Sequence, residues 1–247
     1  MIDIIRVKLP GGVKRFPMFT VRDQLSFLLA SADMEGKTLT EQQEMLDEIL
    51  DILYPGYSRT EQENIFTKVH CVSFGKNAIK IRIKGSSGQS EAFMHVTDYV
   101  LQNEYALDDS LTLGFKFPKH RNNSEQLFLE CIQYVKQDGE RYEWNALDED
   151  TKNAILDLVS IEDMENIVKL LRKSCHVTVR DIEFSDLLTL YKILFNKSEL
   201  NEFFKTNYLL NKNTVQIEPI MNGSPMERSI YVALLAEDLK RKENANA

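Results

Sequence analysis

The chain has few of the residues that staple or anchor a protein. Its three cysteines, Cys71, Cys131 and Cys175, are odd in number and far apart, with no C-x-x-C pair. Such spacing suggests neither a disulfide framework nor a cysteine-built zinc cluster, and it fits a reducing cytoplasm. No apolar run approaches the ~20 residues that a membrane helix needs. Met1-Ile2-Asp3 opens without the basic-then-apolar order of a secretory signal. A soluble, unexported protein with no membrane span is expected. Positive charge is in deficit: 30 Lys+Arg against 38 Asp+Glu leave a net charge of −8. Phosphate backbones are bound by cations that displace condensed counterions, so no nucleic-acid partner is expected. G-x-G-x-x-G, Walker, G-x-S-x-G and H-E-x-x-H signatures are all missing, which removes the commonest cofactor and nucleophile motifs.

What remains is 43% hydrophobic, enough for a chain of this length to bury a core. Residues 2–9 and 13–19 are short β-rich runs flanking Pro10-Gly11-Gly12, a hairpin pattern. Thr20 caps a helix carrying Val21, Leu25, Leu28, Leu29 and Ala32 at helical spacing. Thr38-x-x-Glu41 and Ser58-x-x-Glu61 are capping boxes. The first opens a helix to Leu53 with the stripe Met45, Leu46, Ile49, Ile52 and Leu53; the second opens one through Val72 that Gly75 ends. Residues 78–84 alternate as a strand, 91–97 read as its partner, and 111–117 form another strand halted by Pro118. Helical patterns then cover 124–137, 148–159, 161–173, 185–195 and 198–210, with a short strand within 175–183. Ser224-Pro225-Met226-Glu227 combines an N-cap, a first-turn proline and a capping glutamate. The helix it opens has a broad apolar side: Met226, Ile230, Tyr231, Val232, Leu234, Leu235 and Leu239. These patterns predict an α+β fold. A small antiparallel or mixed sheet with helices forms an N-terminal lobe over 1–137, and a mainly helical lobe covers 138–247. The polar stretch 138–145, with Trp144, marks the junction as either a linker or an anchor between lobes.

Several clusters have a chemical reading beside a bland one. His70-Cys71 and Cys175-His176 are two pairs of metal-competent residues. Neighbours on a helix point ~100° apart and rarely chelate together, so buried cysteines are the better reading. Glu41, Glu44, Glu48 and Asp51 form a carboxylate row that suits a solvated helix face. Lys14-Arg15 and residues 116–121 mix basic groups with Phe16, Phe115 and Phe117, a stacking pattern disfavoured by the overall acidity. Phe203, Phe204 and Tyr208 either pack in the core or form an exposed anchor for a partner protein. No metal, cofactor or catalytic residue is expected.

Leu200-Asn201-Glu202-Phe203-Phe204 and Asn207-Tyr208-Leu209-Leu210 precede Met221, Pro225-Met226-Glu227-Arg228 and Tyr231. This series resembles the closing segment of the T4-type baseplate hub assembly family. There an aromatic-rich helix is followed by a P-W-E-R helix and a tyrosine; Met226 stands where the tryptophan is usual. Residues 19–24 (FTVRDQ), Lys68 to Gly75, and Gly114-Phe115-Lys116-Phe117-Pro118 resemble the family in the same order.

The resemblance implies a non-enzymatic protein that helps build the phage baseplate hub in the host cytoplasm. It would act as a transient, chaperone-like assembly factor or as a permanent hub subunit. Hub or tape-measure proteins of the tail would be its partners, with Phe203, Phe204, Tyr208, Met226, Arg228 and Tyr231 as candidate contact residues. A rival reading is an enzyme assembled from scattered groups such as His95, Asp98 and Glu104.

Overall fold

The computed structural model describes residues 4–76, 78–85, 88–95, 102–116, 124–173, 178–179, 182–183, 187–213 and 215–245. Its chain opens with a hairpin of β1 (Ile5–Leu9) and β2 (Gly12–Phe16), closed at Pro10-Gly11 with Gly12 at φ 100°. Three helices follow, α1 (Val21–Asp33), α2 (Leu39–Leu53) and α3 (Arg59–Ser73). Each begins at a reciprocal capping box, Thr20 with Asp23, Thr38 with Glu41 and Ser58 with Glu61. In each box a side-chain oxygen accepts from a first-turn N–H that the helix itself leaves unpaired. The apolar faces lie slightly off the expected stripes. Phe27 and Leu28 of α1 and Leu46 and Leu50 of α2 are buried, while Leu29 and Ile52 face solvent. At 3.6 residues per turn, both exposed residues fall at the edge of the packed arc.

Helix α3 is the spine. Ile65, Phe66 and Val69 are buried on it together with polar side chains that find partners. The Ser73 hydroxyl accepts from the Phe19 N–H at 2.8 Å and donates to the Val69 carbonyl at 2.7 Å. Gln62 donates to Asp51 and to the Tyr54 carbonyl. Buried Arg59 pairs with Asp47 of α2 and with Glu63 one turn along.

The middle of the chain holds a separate hairpin, β3 (Ala78–Gly85) with β4 (Gly88–His95), and then β5 (Glu104–Ala106) and β6 (Leu111–Phe115). Helix α4 (Ser124–Cys131) leads directly into β7 (Ile132–Gln137) and β8 (Glu140–Glu143). The four strands β5-β6-β7-β8 form an antiparallel meander, and every strand pairing in the described residues is antiparallel. A helix expected over 124–137 is therefore corrected at its second half. Tyr134 and Val135 are β-formers, and β6 offers an unpaired edge that a helix would leave open. Asp138 (φ 52°) and Gly139 (φ 87°) make the two-residue hairpin turn that fixes the β7–β8 register. That turn occupies the stretch read as a lobe junction. Trp144 lies just beyond β8 in a 3₁₀ turn (Trp144–Ala146), half-buried against the core.

Helices α5 (Glu149–Asp157) and α6 (Ile161–Lys173) follow, then the short strands β9 (Thr178–Val179) and β10 (Ile182–Glu183). The last helices are α7 (Leu187–Leu194), α8 (Glu199–Lys212), α9 (Ile217–Asn222) and α10 (Pro225–Ala245). Among the described residues no helix is long and apolar enough to cross a membrane. Buried side chains form one cluster drawn from the β1–β2 hairpin, α1 to α3, β6, α4, β7 and α6 to α9. At its heart Phe19, Phe27, Phe66, Tyr191 and Phe195 meet edge-on or tilted, with ring centroids 4.9–6.3 Å apart. Such geometry suits ring quadrupoles. The Tyr191 hydroxyl donates to the Phe27 carbonyl at 3.0 Å, tying α7 to α1 across most of the sequence.

Candidate protein-contact site

Two segments singled out in the sequence, 19–24 and 68–75, are far apart in the chain and meet in space beside residues 218–228, which include the Pro225-Met226-Glu227-Arg228 segment. The Phe19 N–H binds Ser73, and the Val21 N–H donates to the Gly223 carbonyl at 2.9 Å. Arg22 reaches Asn222 at 3.0 Å and Glu218 at 2.6 Å. Gly75, at φ 63°, lies under Met226: a Cβ there would stand 2.7 Å from the Met226 sulfur. Helix α3 thus ends at a glycine that both reverses the chain and leaves room for the start of α10.

Ser224 and Glu227 cap α10 reciprocally. The Ser224 N–H donates to Glu227 at 2.6 Å, and the Glu227 N–H donates to the Ser224 hydroxyl at 3.2 Å. Arg228, next along, is half-buried and turns towards α8. Its Nε donates to the Asn207 side chain at 2.8 Å and its Nη2 to the Phe203 carbonyl at 3.1 Å, while its guanidinium lies 4.5 Å from the Phe203 ring centroid. Desolvation lowers its pKa from the usual arginine value.

The six candidate contact residues therefore divide. Phe203 is buried beneath Arg228, which braces α8 against α10. Phe204 (52% exposed), Tyr208 (66%) and Tyr231 (48%) face solvent, and Met226 is partly open above Gly75. Sequence inspection already placed Ile230 and Leu234 on the apolar side of α10; both are exposed, whereas Val232 and Leu235 turn inward. Between Ile230 and Leu235 helix α10 is thus apolar around most of its circumference, and only one side of this stretch is packed. Beside its first turn is a groove of 550 Å³ whose lining includes Ile4, Met18, Ile220, Glu227, Arg228 and Tyr231. Periodicity alone did not signal this groove, because its walls come from both ends of the chain.

The other clusters have structural placements. His70 is fully buried, stacked on Phe74 at 4.3 Å and edge-on to Phe195. Burial and, secondarily, Lys76 hold its pKa down to about 3. Cys71 and Cys131 are buried, and burial pushes each thiol up to about 11. Cys175 and His176 lie outside the described residues, among which no group of three or more potential metal ligands gathers. Glu41, Glu44, Glu48 and Asp51 line the wet face of α2. Lys14 and Arg15 are exposed, but Phe16 and Phe115 are buried and cannot stack on a base. Glu104 accepts from Lys136 at 2.6 Å and Tyr134 at 2.5 Å, which hold its carboxyl below the usual range. Asp98 lies outside the described residues, as does the His95 side chain.

Together these features define an α+β protein that presents an exposed aromatic and aliphatic surface on its C-terminal helices. A family model described as T4 bacteriophage base plate protein matches residues 1–190, and one described as baseplate hub assembly protein Gp51 C-terminal domain matches residues 194–240. The chain belongs to the T4-like baseplate hub assembly family, and its role is in phage baseplate assembly. Comparisons with curated proteins and with solved structures return no match.

Proposed function

We propose that this protein promotes baseplate hub formation by transient, non-covalent contact with a hub protein, through the outer faces of α8 and α10. It acts in the infected cell as a chaperone-like factor and breaks no bond. One observation carries this reading: eight of the 20 exposed large apolar side chains among the described residues fall between Phe204 and Leu239. That interval lies within the match to the hub assembly C-terminal domain. Apolar surface gathered this way is costly in water and is relieved by a partner that covers it. Exposed aromatics such as Phe204, Tyr208 and Tyr231 are the side chains from which interface hot spots are commonly built. A transient factor shields such a surface on an incomplete hub and leaves when the permanent neighbour arrives.

The test is hub formation from purified hub components with and without this chain, paired with mass spectrometry of mature virions. Faster or higher-yield hub formation, with the chain absent from virions, is expected. Stoichiometric presence in virions would make it a permanent hub subunit instead. No effect on hub formation combined with absence from virions would refute both roles.

A further inference from the structure

Strand β8 (Glu140–Glu143) closes one edge of the β5-β6-β7-β8 meander, and all four of its residues are exposed. Backbone groups along a strand point alternately to its two neighbours. The Asp138 N–H donates to the Ser110 carbonyl beside β6, so Val135 and Gln137 turn to β8. Their partners Tyr142 and Glu140 turn back to β7, which leaves the N–H and C=O groups of Arg141 and Glu143 pointing outward. Among the described residues no strand pairs with that outer edge. Open edges are commonly blunted by charge, above all by lysine. Strand β2, exposed along most of its length, carries Lys14 and Arg15, which repel a second copy. Strand β8 instead carries opposite charges two residues apart on one face of the sheet, Arg141 and Glu143, paired at 2.8 Å within the chain.

We propose that β8 pairs antiparallel with β8 of a second copy of this chain, about a two-fold axis at Tyr142, so that two meanders join into one sheet. This antiparallel register uses both outward residues of each copy. Arg141 lies opposite the partner's Glu143 and Glu143 opposite the partner's Arg141, each pair exchanging backbone hydrogen bonds with side chains of opposite sign directly across from one another. Moving the axis to Arg141 or to Glu143 sets that residue against its own copy, like charge to like charge, and leaves the other outward residue unmatched. The charge pattern therefore fits a second copy of the same strand, and in a single antiparallel register. Arg141 is already held at the edge by its stacking 3.7 Å from the Tyr134 ring centroid. The Glu143 carbonyl caps the 3₁₀ turn Trp144–Ala146 and keeps a second lone pair for the partner's Arg141 N–H. On the other face Tyr142, 43% exposed, meets its symmetry mate as a close non-hydrogen-bonded pair. The overlap is short, so the dimer is weak and forms as concentration rises. It does not rest on the assembly reading.

The experiment measures the oligomeric state of the full-length chain by sedimentation equilibrium over a concentration series. Wild type should show a monomer–dimer equilibrium that weakens with added salt, because the ion pairs are exposed. Arg141→Glu alone and Glu143→Arg alone each set like charges opposite one another at both pairs and should weaken dimerisation roughly 10- to 100-fold. Mixed in equal amounts, the two variants should dimerise with each other as strongly as wild type does with itself, since every reversed charge again faces its opposite. The double variant, Arg141→Glu with Glu143→Arg, should dimerise on its own. Either recovery shows at the same time that the substituted chains are folded. A wild type that stays monomeric at every concentration reached, a dimer indifferent to both single reversals, or a mixture that dimerises no better than its components would overturn the proposal.

Discussion

Gly114→Ala should destabilise the central sheet through one side chain. On β6, Gly114 sits opposite Tyr134 of β7, and a Cβ at 114 would stand 2.1 Å from Cζ, 2.2 Å from Cε2 and 2.5 Å from Cε1 of the Tyr134 ring. Ordinary carbon contacts need roughly 3.5 Å, so the ring must move by about 1 Å or more. It is not free to do so. Its hydroxyl donates to Glu104 at 2.5 Å, and the Arg141 guanidinium packs 3.7 Å from its centroid. Displacement loses a hydrogen bond to a charged group, about 1.5–3 kcal/mol, and a surface cation–π contact, about 0.5–1 kcal/mol. Alanine's better strand entropy returns about 0.5–1 kcal/mol. A net loss of about 1–3.5 kcal/mol follows, equivalent to a fall in Tm of roughly 2–14 °C for a domain of this size. Urea unfolding followed by circular dichroism measures it, and a double-mutant cycle with Tyr134→Ala isolates the cause. With the ring gone, Gly114→Ala should be neutral or mildly stabilising. An equal cost in both backgrounds, or none in the wild type, would refute the argument.

Other expectations follow from single sites. Phe204→Ser, Tyr208→Ser and Tyr231→Ser together remove only solvent-facing rings, so the urea midpoint should move little while promotion of hub formation is lost; a large drop in stability would mean that the rings pack. Gly75→Ala should cost more than 1 kcal/mol, because φ 63° disfavours a side chain and Met226 occupies its space; Gly75→Ala combined with Met226→Ala should recover part of that in the same unfolding assay. Thr38→Ala removes the reciprocal cap of α2 and should cost about 1 kcal/mol. His70 has a folded-state pKa near 3 against 6.5 unfolded, so its contribution is complete above pH 6.5 and is lost as pH falls towards 3. The loss approaches about 1.4 kcal/mol per pH unit, and His70→Leu should flatten the stability profile between pH 6.5 and 5.

The legible part of the fold is the part set by residues close together in the chain. Thr20, Thr38, Ser58 and Ser224 cap helices where their spacing to Asp23, Glu41, Glu61 and Glu227 says they should, because a cap is completed within four residues. The β1–β2 turn is local for the same reason. The collinear run of resembling segments pointed to the family that the whole-chain comparison supports. Strand β7 was not legible, since a run that alternates for only a few residues suits either a helix end or a strand, and the β6 edge beside it decides.

The sequence by itself determined the α+β class, the starts of the helices that open on a capping box, the net negative charge and the aromatic-rich C-terminal segment, all of which are properties of composition or short spacing; helix α9 (Ile217–Asn222) was not among them. Only the tertiary structure decided that Phe203 turns inward while Phe204 and Tyr208 turn outward, although the first two are neighbours on one helix. It alone brought Phe19, Ser73, Gly75 and Gly223 together around the start of α10, and set Arg228 in a groove walled by both ends of the chain. The physical reason is that periodicity fixes which residues share a face, whereas burial depends on which other element covers that face, and such coverings join residues separated by most of the chain.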